Sequence, residues 1–161
     1  MKKFALVLAV AVMIFPGSAG AGGRGDSARG RGSDFNGTEF SFSASSNFNG
    51  SDPSGTVKLY QAFNATIYTI TARVTCLQVT GNTASIAAQV TDISPNNNLL
   101  ASSTNSLQVQ AIDGGKGGTV PDAATVFRSS TPPQPAGAVC VSPFTPQPLS
   151  RGEVVIQDAL S

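Results

Sequence analysis

A long β-hairpin is the clearest signal in the pattern of apolar and polar positions along this chain. Between Ile67 and Val90, apolar residues alternate with polar ones on both sides of a Gly81-Asn82 pair. On the first arm the apolar positions are Tyr68, Ile70, Ala72, Val74 and Cys76, and on the second arm they are Ala84, Ile86, Ala88 and Val90. Alternation with a period of two places such residues on one face of a strand, and Gly-Asn suits a tight hairpin turn. The pattern therefore predicts two antiparallel strands that share one apolar face, Cys76 included.

Shorter stretches with the same alternation predict the other strands. They are residues 35–44, 56–61, 99–112, 124–127 and 153–158. Clusters of Gly, Pro, Asn and Ser separate them, and no window after the first 21 residues keeps a helical period. We therefore predict an all-β, antiparallel domain of about seven or eight strands, built as a barrel-like sheet or a sandwich. Barrel-like closure is favoured because it leaves no apolar edge strand open.

The first 21 residues have the features of an export signal. Lys2 and Lys3 give a positive start, and residues 4–15 form an unbroken apolar run that ends at a Pro-Gly pair. Ala19 to Ala21 then supply the small residues that signal peptidase recognises. The apolar run is too short to anchor the mature chain, since a span needs about 20 residues. We expect cleavage after about Ala21, no membrane anchor, and a secreted or periplasmic protein.

The rest of the chain divides into a tail and one domain. Residues 22–33 read GGRGDSARGRGS and contain no apolar side chain larger than Ala. Such a composition predicts a flexible Gly/Arg/Ser tail, because it has little apolar surface to bury. Residues 34–161 are then expected to form a single β domain, which is long enough for one hydrophobic core.

The charge balance argues against nucleic-acid binding. Removal of Lys2 and Lys3 with the signal leaves eight Lys and Arg residues against nine Asp and Glu residues. A chain so close to neutrality has no long-range field that would steer nucleic acid or an anionic membrane towards it. We therefore expect no nucleic-acid partner.

Two cysteines in an exported chain predict one disulfide, between Cys76 and Cys140. The alternatives are two free thiols or two metal ligands. A zinc site would lack its usual ligands, because the chain has no His and each cysteine stands alone in the sequence. A bond across so long a loop should stabilise the fold by about 4 kcal/mol in the chain-entropy model.

No group of residues predicts catalysis or a cofactor. Without His, and with both cysteines paired, the usual nucleophile–base arrangements cannot form. Asp113 and Asp122 bracket a glycine-rich loop that could wrap a hard cation such as Ca²⁺, although Lys116 inside the loop would oppose it. We expect no enzyme, no cofactor and no metal-ligand set, and we keep Asp113 and Asp122 as a candidate cation loop.

The order of several motifs resembles that in a group of uncharacterised secreted bacterial proteins. A VTCLxVxGNxAxI hairpin, here from Val74 to Ile86, follows a Phe-x-Phe-x-Ala strand, here from Phe40 to Ala44. An Asp-Gly-Gly loop that ends in Pro-Asp, a lone Cys and a final strand at residues 152–158 come after it in the same order. The chain departs from the group at Ala87-Ala88, where Gly is frequent. This resemblance, over about residues 35–158, implies a small β-rich exported domain with one disulfide and implies no activity.

Two hypotheses of different class follow from the sequence. The first, which we favour, is a non-catalytic structural or interaction module whose Ser/Thr/Asn-rich surface contacts an envelope or extracellular protein or polymer. The second is a carrier of a small apolar ligand, held in a cavity of the barrel. The two differ in their interior, because a carrier needs unfilled volume and a module should be packed solid.

Overall fold

The computed structural model describes residues 25–34, 37–47, 50–115, 120–133, 135, 140 and 144–159. Within these residues eight strands and one short helix follow one another along the chain. They are β1 (Ser27–Ser33), β2 (Glu39–Ser45), β3 (Ser54–Phe63), β4 (Thr66–Thr80), β5 (Thr83–Ser94), α1 (Asn98–Ser103), β6 (Ser106–Ile112), β7 (Ala123–Ser129) and β8 (Arg151–Gln157). The predicted export signal, residues 1–21, lies outside the described residues.

All eight strands belong to one antiparallel sheet that curls into a half-barrel. Their order is β7-β6-β5-β4-β3-β2-β1-β8, so β1 to β7 form a meander of consecutive hairpins. After β7 the chain crosses over and β8 pairs with the other side of β1. The predicted all-β, antiparallel fold with seven or eight strands is confirmed, and the architecture is a single barrel-like sheet rather than a two-sheet sandwich.

The core lies on the inner, concave face of this sheet and draws side chains from every strand. Ile70, Val57 and Leu107 are fully buried there. The rings of Phe40 and Phe42 stack on the same face with their centroids 6.2 Å apart. Burial of each such side chain stabilises the fold by about 1.5–3 kcal/mol. The alternation in the sequence therefore identified most of the core correctly.

The central hairpin is confirmed, with one correction in β4. Strands β4 and β5 meet at a two-residue turn in which Gly81 has φ +58°. A bulge between Val74 and Cys76 shifts the register, so that Cys76 lies opposite Ala87 on the outer face and Leu77 joins the core. The prediction that Cys76 shares a face with Val74 is wrong, because the extra residue of a bulge inverts the alternation beyond it.

The prediction of a flexible tail is wrong for residues 27–33. They form β1, which pairs along its whole length with β2 on one side and β8 on the other. Ala28, Gly30 and Gly32 lie on the inner face, and serines and arginines alternate with them on the outer face. The Phe42 ring covers Gly30 so closely that a Cβ there would lie 2.6 Å from its Cζ. A neighbouring strand thus supplies the apolar surface that β1 itself lacks.

A third correction concerns Leu99 and Leu100, where the sequence predicts the start of a strand. They lie in α1, whose N-terminus is capped by Asn97. The Asn97 side chain accepts hydrogen bonds from the backbone N–H groups of Leu99 (3.0 Å) and Leu100 (3.1 Å). Asn is among the best N-cap residues. The strand predicted here starts only at Ser106.

Candidate functional site

The predicted disulfide is confirmed. Cys76 and Cys140 are bonded, with their Cα atoms 6.0 Å apart across a sequence separation of 64 residues. Both are buried, and with Ala87 they form a small cluster on the outer side of β4 and β5. The bond fastens the proline-rich segment before β8 to the middle of the sheet. Because the chain has only these two cysteines, no thiol is left for metal binding or catalysis.

Asp113 and Asp122, the candidate cation loop, lie together beside β8. Asp113 accepts hydrogen bonds from the backbone N–H groups of Gly115 (2.7 Å, to Oδ1) and Ile156 (3.0 Å, to Oδ2). Ile156 belongs to β8, whose side away from β1 is the edge of the sheet. One carboxylate oxygen of Asp113 thus shapes its own loop, and the other satisfies a donor on an edge strand.

Asp122 makes the same kind of contacts with β8, at a residue two positions before Ile156. Its Oδ1 accepts from the backbone N–H of Gly114 (2.9 Å), and its Oδ2 accepts from that of Val154 (2.7 Å). All four carboxylate oxygens of the pair therefore receive an amide hydrogen. A Ca²⁺ ion needs six to eight oxygen ligands, whereas the described residues contain no group of three or more His, Cys, Asp or Glu that could hold a metal. The contacts favour a structural role for Asp113 and Asp122 over the candidate cation site.

Two further aspartates fix the chain at the same end of the sheet. Asp158, just after β8, accepts from the backbone N–H of Gly81 at the β4–β5 turn (2.7 Å). Asp26, just before β1, accepts from the backbone N–H of Ala159 (2.9 Å). These carboxylates hold turns and strand ends in place by accepting hydrogen bonds from backbone amides.

The outer face of the sheet carries a band of cations and hydroxyl groups that the sequence did not reveal. The register places Arg29 (β1), Ser43 (β2), Thr56 (β3) and Arg73 (β4) side by side in one row across the four strands. Lys58 lies two residues further along β3, and all five side chains are exposed. We call Arg29, Lys58 and Arg73, with the serines and threonines between them, the basic band.

The cations of the basic band have no acidic partner among the residues that the structure describes. Within the described part of the chain, no ion pair or hydrogen bond involves the side chains of Arg29, Lys58 or Arg73. Two other arginines of the same sheet face do pair. Arg31 lies 3.9 Å from Glu153, and Arg151 forms an ion pair and a hydrogen bond with Glu39.

One signal for this band is present in the sequence, in the alternation of residues 27–33. In residues 27–33, Ser and Arg alternate with Ala and Gly, which is the period of a strand with a polar outer face. The inner positions are so small that they gave no hydrophobic signal. The sequence therefore predicts a tail at Arg29, and only the pairing of four strands places Arg29 in one row with Arg73.

Open grooves lie on the described surface around this sheet, and two of them adjoin Arg73 and α1. One, of about 670 Å³, runs between residues 52–56 and residues 73–75, and Arg73 lines it. The other, of about 440 Å³, lies between β5 and α1 and is lined mainly by polar side chains. On the inner face, by contrast, the core side chains pack against one another. The groove beside Arg73 is lined by both polar and apolar groups, and the groove beside α1 mainly by polar ones, so neither is a purely apolar cavity.

Comparison with protein-family models, with curated proteins and with solved structures gives no significant match to this chain. The described residues include no helix with the length and hydropathy needed to cross a membrane.

Proposed function

We propose that this protein is an exported, non-catalytic β domain that acts as a structural or interaction module in the cell envelope or extracellular space. The observation that carries this proposal is the outer face of β1–β4, where exposed cations and hydroxyl groups stand on a rigid, disulfide-linked sheet. Groups on a regular sheet keep fixed spacings, and this suits repeated contacts with an extended partner. The resemblance to secreted bacterial proteins of the VTCLxVxGNxAxI type points to the same compartment.

The distribution of acidic groups supports a role without catalysis. Asp26, Asp113, Asp122 and Asp158 each accept hydrogen bonds from backbone amides, and Glu39 pairs with Arg151. A general acid or base needs access to a substrate and a proton to transfer. Carboxylates that hold strand ends and loops together fit a structural task better.

Native mass spectrometry together with cell fractionation tests the proposal. The protein is expressed in its exporting host, purified with its disulfide intact and weighed. A mass that starts after about residue 21, with the two-hydrogen loss of a disulfide, is the expected result. In the fractionation, the mature chain should be retained by insoluble envelope or matrix material and released from it by high salt.

Two outcomes would contradict the proposal. Retention of the uncleaved chain in the cytoplasm would contradict export. A bound lipid-sized mass in the native spectrum would instead support the alternative, a carrier of a small apolar ligand.

A further inference from the structure

We propose that the basic band on the outer face of β1–β4 binds a linear anionic polysaccharide. This inference rests on the proposed function and names the partner class of that module. Three observations support it: the register that aligns Arg29 with Arg73, the absence of ion pairs from the band to the other described residues, and the hydroxyl groups between its cations.

The spacing of the cations suits an extended ligand that crosses the strands. Arg29 and Arg73 lie in the same row and three strands apart, which is about 14 Å at a strand spacing of about 4.8 Å. Lys58 lies two residues, or about 7 Å, along β3 from that row. Three positive charges at such distances can contact successive acidic groups of one chain, whereas a single small anion would reach only one of them.

The row itself is free of carboxylates. It continues from Arg29 to Val155 of β8 on one side and from Arg73 to Gln89 of β5 on the other. Two acids of this sheet face, Glu39 and Glu153, lie in neighbouring rows and pair with Arg151 and Arg31. A third, Asp92 of β5, lies in the row of Lys58 but two strands away from it, and no ion pair joins the two side chains in the described residues. The basic band therefore has a local excess of positive charge, although the chain as a whole is nearly neutral. An anionic partner would supply the charges that the band lacks.

The chemistry between the cations favours a sugar polymer over a nucleic acid or a membrane. Ser43 and Thr56 present hydroxyl groups that can donate to and accept from sugar hydroxyls, and arginine binds carboxylates in a bidentate manner. Single-stranded nucleic acids need aromatic side chains on which the bases stack, and the outer positions of β1–β4 in the described residues offer only Tyr60. The band also exposes no large apolar side chain that would insert into a lipid surface.

The test is titration of the mature, disulfide-bonded protein with polygalacturonate, a linear polyuronate, at low ionic strength. Dextran serves as the neutral polysaccharide, oligothymidine as the nucleic acid and phosphatidylglycerol vesicles as the anionic membrane. We expect binding to polygalacturonate and none to dextran. The binding should be lost in 1 M NaCl, where charges are screened over about 3 Å.

Two double variants with the same change in net charge locate the site. Arg29→Gln with Arg73→Gln removes the ends of the basic band, whereas Arg128→Gln with Arg151→Gln removes two arginines outside it. Exposed ion pairs contribute little singly, so we expect the first variant to bind about tenfold more weakly (about 1.4 kcal/mol). The second variant should bind nearly as the parent does. Far-UV circular dichroism confirms that each variant is folded.

Equal weakening by both double variants would overturn the proposal, because it would show a response to net charge alone. Tighter binding of oligothymidine or of vesicles than of polygalacturonate would overturn the choice of ligand class. If the protein is retained by envelope or matrix material and yet ignores polygalacturonate, the module assignment stands and the polysaccharide site fails. If it is not retained at all, the proposed function itself fails.

Discussion

At the tip of the β3–β4 hairpin, Asn64 and Ala65 hold left-handed backbone angles, with φ of +50° and +60°. Positive φ at both central residues is the geometry of a type I′ turn, in which Gly is strongly preferred at the second position. An L-residue such as Ala is strained there by about 1–2 kcal/mol. Asn tolerates these angles better, so the strain is concentrated at Ala65.

Ala65→Gly should therefore stabilise the protein. Release of the strain is partly offset by the greater freedom of Gly in the unfolded chain, which costs about 0.5–1 kcal/mol. We expect a net gain of about 0.5–1 kcal/mol in the free energy of unfolding, measured by urea denaturation. Ala62→Gly in the adjacent strand is the control, and it should lower stability by a similar amount. A loss of stability in both variants would contradict the strained turn.

Gly30 is the residue on which the close approach of β1 and Phe42 depends. A Cβ at this position would meet Phe42 Cζ at 2.6 Å and Cε1 at 2.8 Å. Gly30→Ala forces the ring or the strand to move, and we expect it to lower the free energy of unfolding by about 1–3 kcal/mol, as overpacking does. Arg31→Ala, on the outer face of the same strand, should change it by no more than about 0.5 kcal/mol. Thermal unfolding of the two variants, followed by circular dichroism, decides whether β1 is packed as described.

At the scale of elements, the sequence predicted strands wherever large apolar residues alternate. It located β2, β4, β5 and β6 with most of their core residues, because Phe, Ile, Val and Leu mark the inner face directly. It missed β1, whose inner face is made of Ala28, Gly30 and Gly32 and becomes apolar only when Phe42 covers it. The apolar contacts of such a strand come from its neighbour. The periodicity of one segment does not contain that information.

The bulge in β4 and the helix α1 were also not predicted, because neither changes the pattern of apolar residues over more than a few positions. A bulge depends on how two strands pair, and Thr75, the extra residue at this bulge, looks like any other outer-face residue of the arm. The helix covers six residues and is marked only by its cap, Asn97, within a run of three asparagines. The basic band was the least predictable feature. Arg29 and Arg73 come into one row only through the register of four strands, which the sequence does not show.

The disulfide connects two parts of the chain that are 64 residues apart in the sequence. It ties Cys140, in the proline-rich segment, to the bulge of β4. The double variant Cys76→Ser with Cys140→Ser should lower the free energy of unfolding on the order of 4 kcal/mol, the loop-closure value for a separation of 64 residues. Urea denaturation in oxidising buffer measures this loss. Reductant should destabilise the parent by a similar amount and leave the double variant unchanged; an equal response of both proteins would contradict a stabilising bond.

At the scale of the whole molecule, an eight-stranded sheet that does not close completely has two edges to protect. The edge at β7 is covered by residues 144–148. Ala124 N–H donates to Gln147 O (2.9 Å), and the Phe127 and Phe144 rings lie with their centroids 4.1 Å apart. The edge at β8 is covered differently, by the carboxylates of Asp113 and Asp122. Both edges are thereby withdrawn from pairing with other chains.

Removal of a carboxylate from this second edge tests whether the two aspartates have the structural role assigned to them. Asp122→Ala leaves the N–H groups of Val154 and Gly114 without their acceptors, and each unsatisfied amide costs about 1–3 kcal/mol. We expect a loss of about 2–4 kcal/mol in the free energy of unfolding, together with concentration-dependent association by size-exclusion chromatography as the β8 edge opens.

The conservative variant and a surface control make this last test specific. Asp122→Asn keeps one carbonyl acceptor but turns an NH₂ group towards the other amide. Its free energy of unfolding should therefore lie between that of the parent and that of Asp122→Ala. Asp92→Ala, at an exposed position of β5 where no hydrogen bond joins the side chain to another described residue, should stay within about 0.5 kcal/mol of the parent. If Asp122→Ala is as stable and as monomeric as Asp92→Ala, the carboxylates do not protect the edge. Calcium titration of the parent protein would then test the alternative, the candidate role of this loop in cation binding.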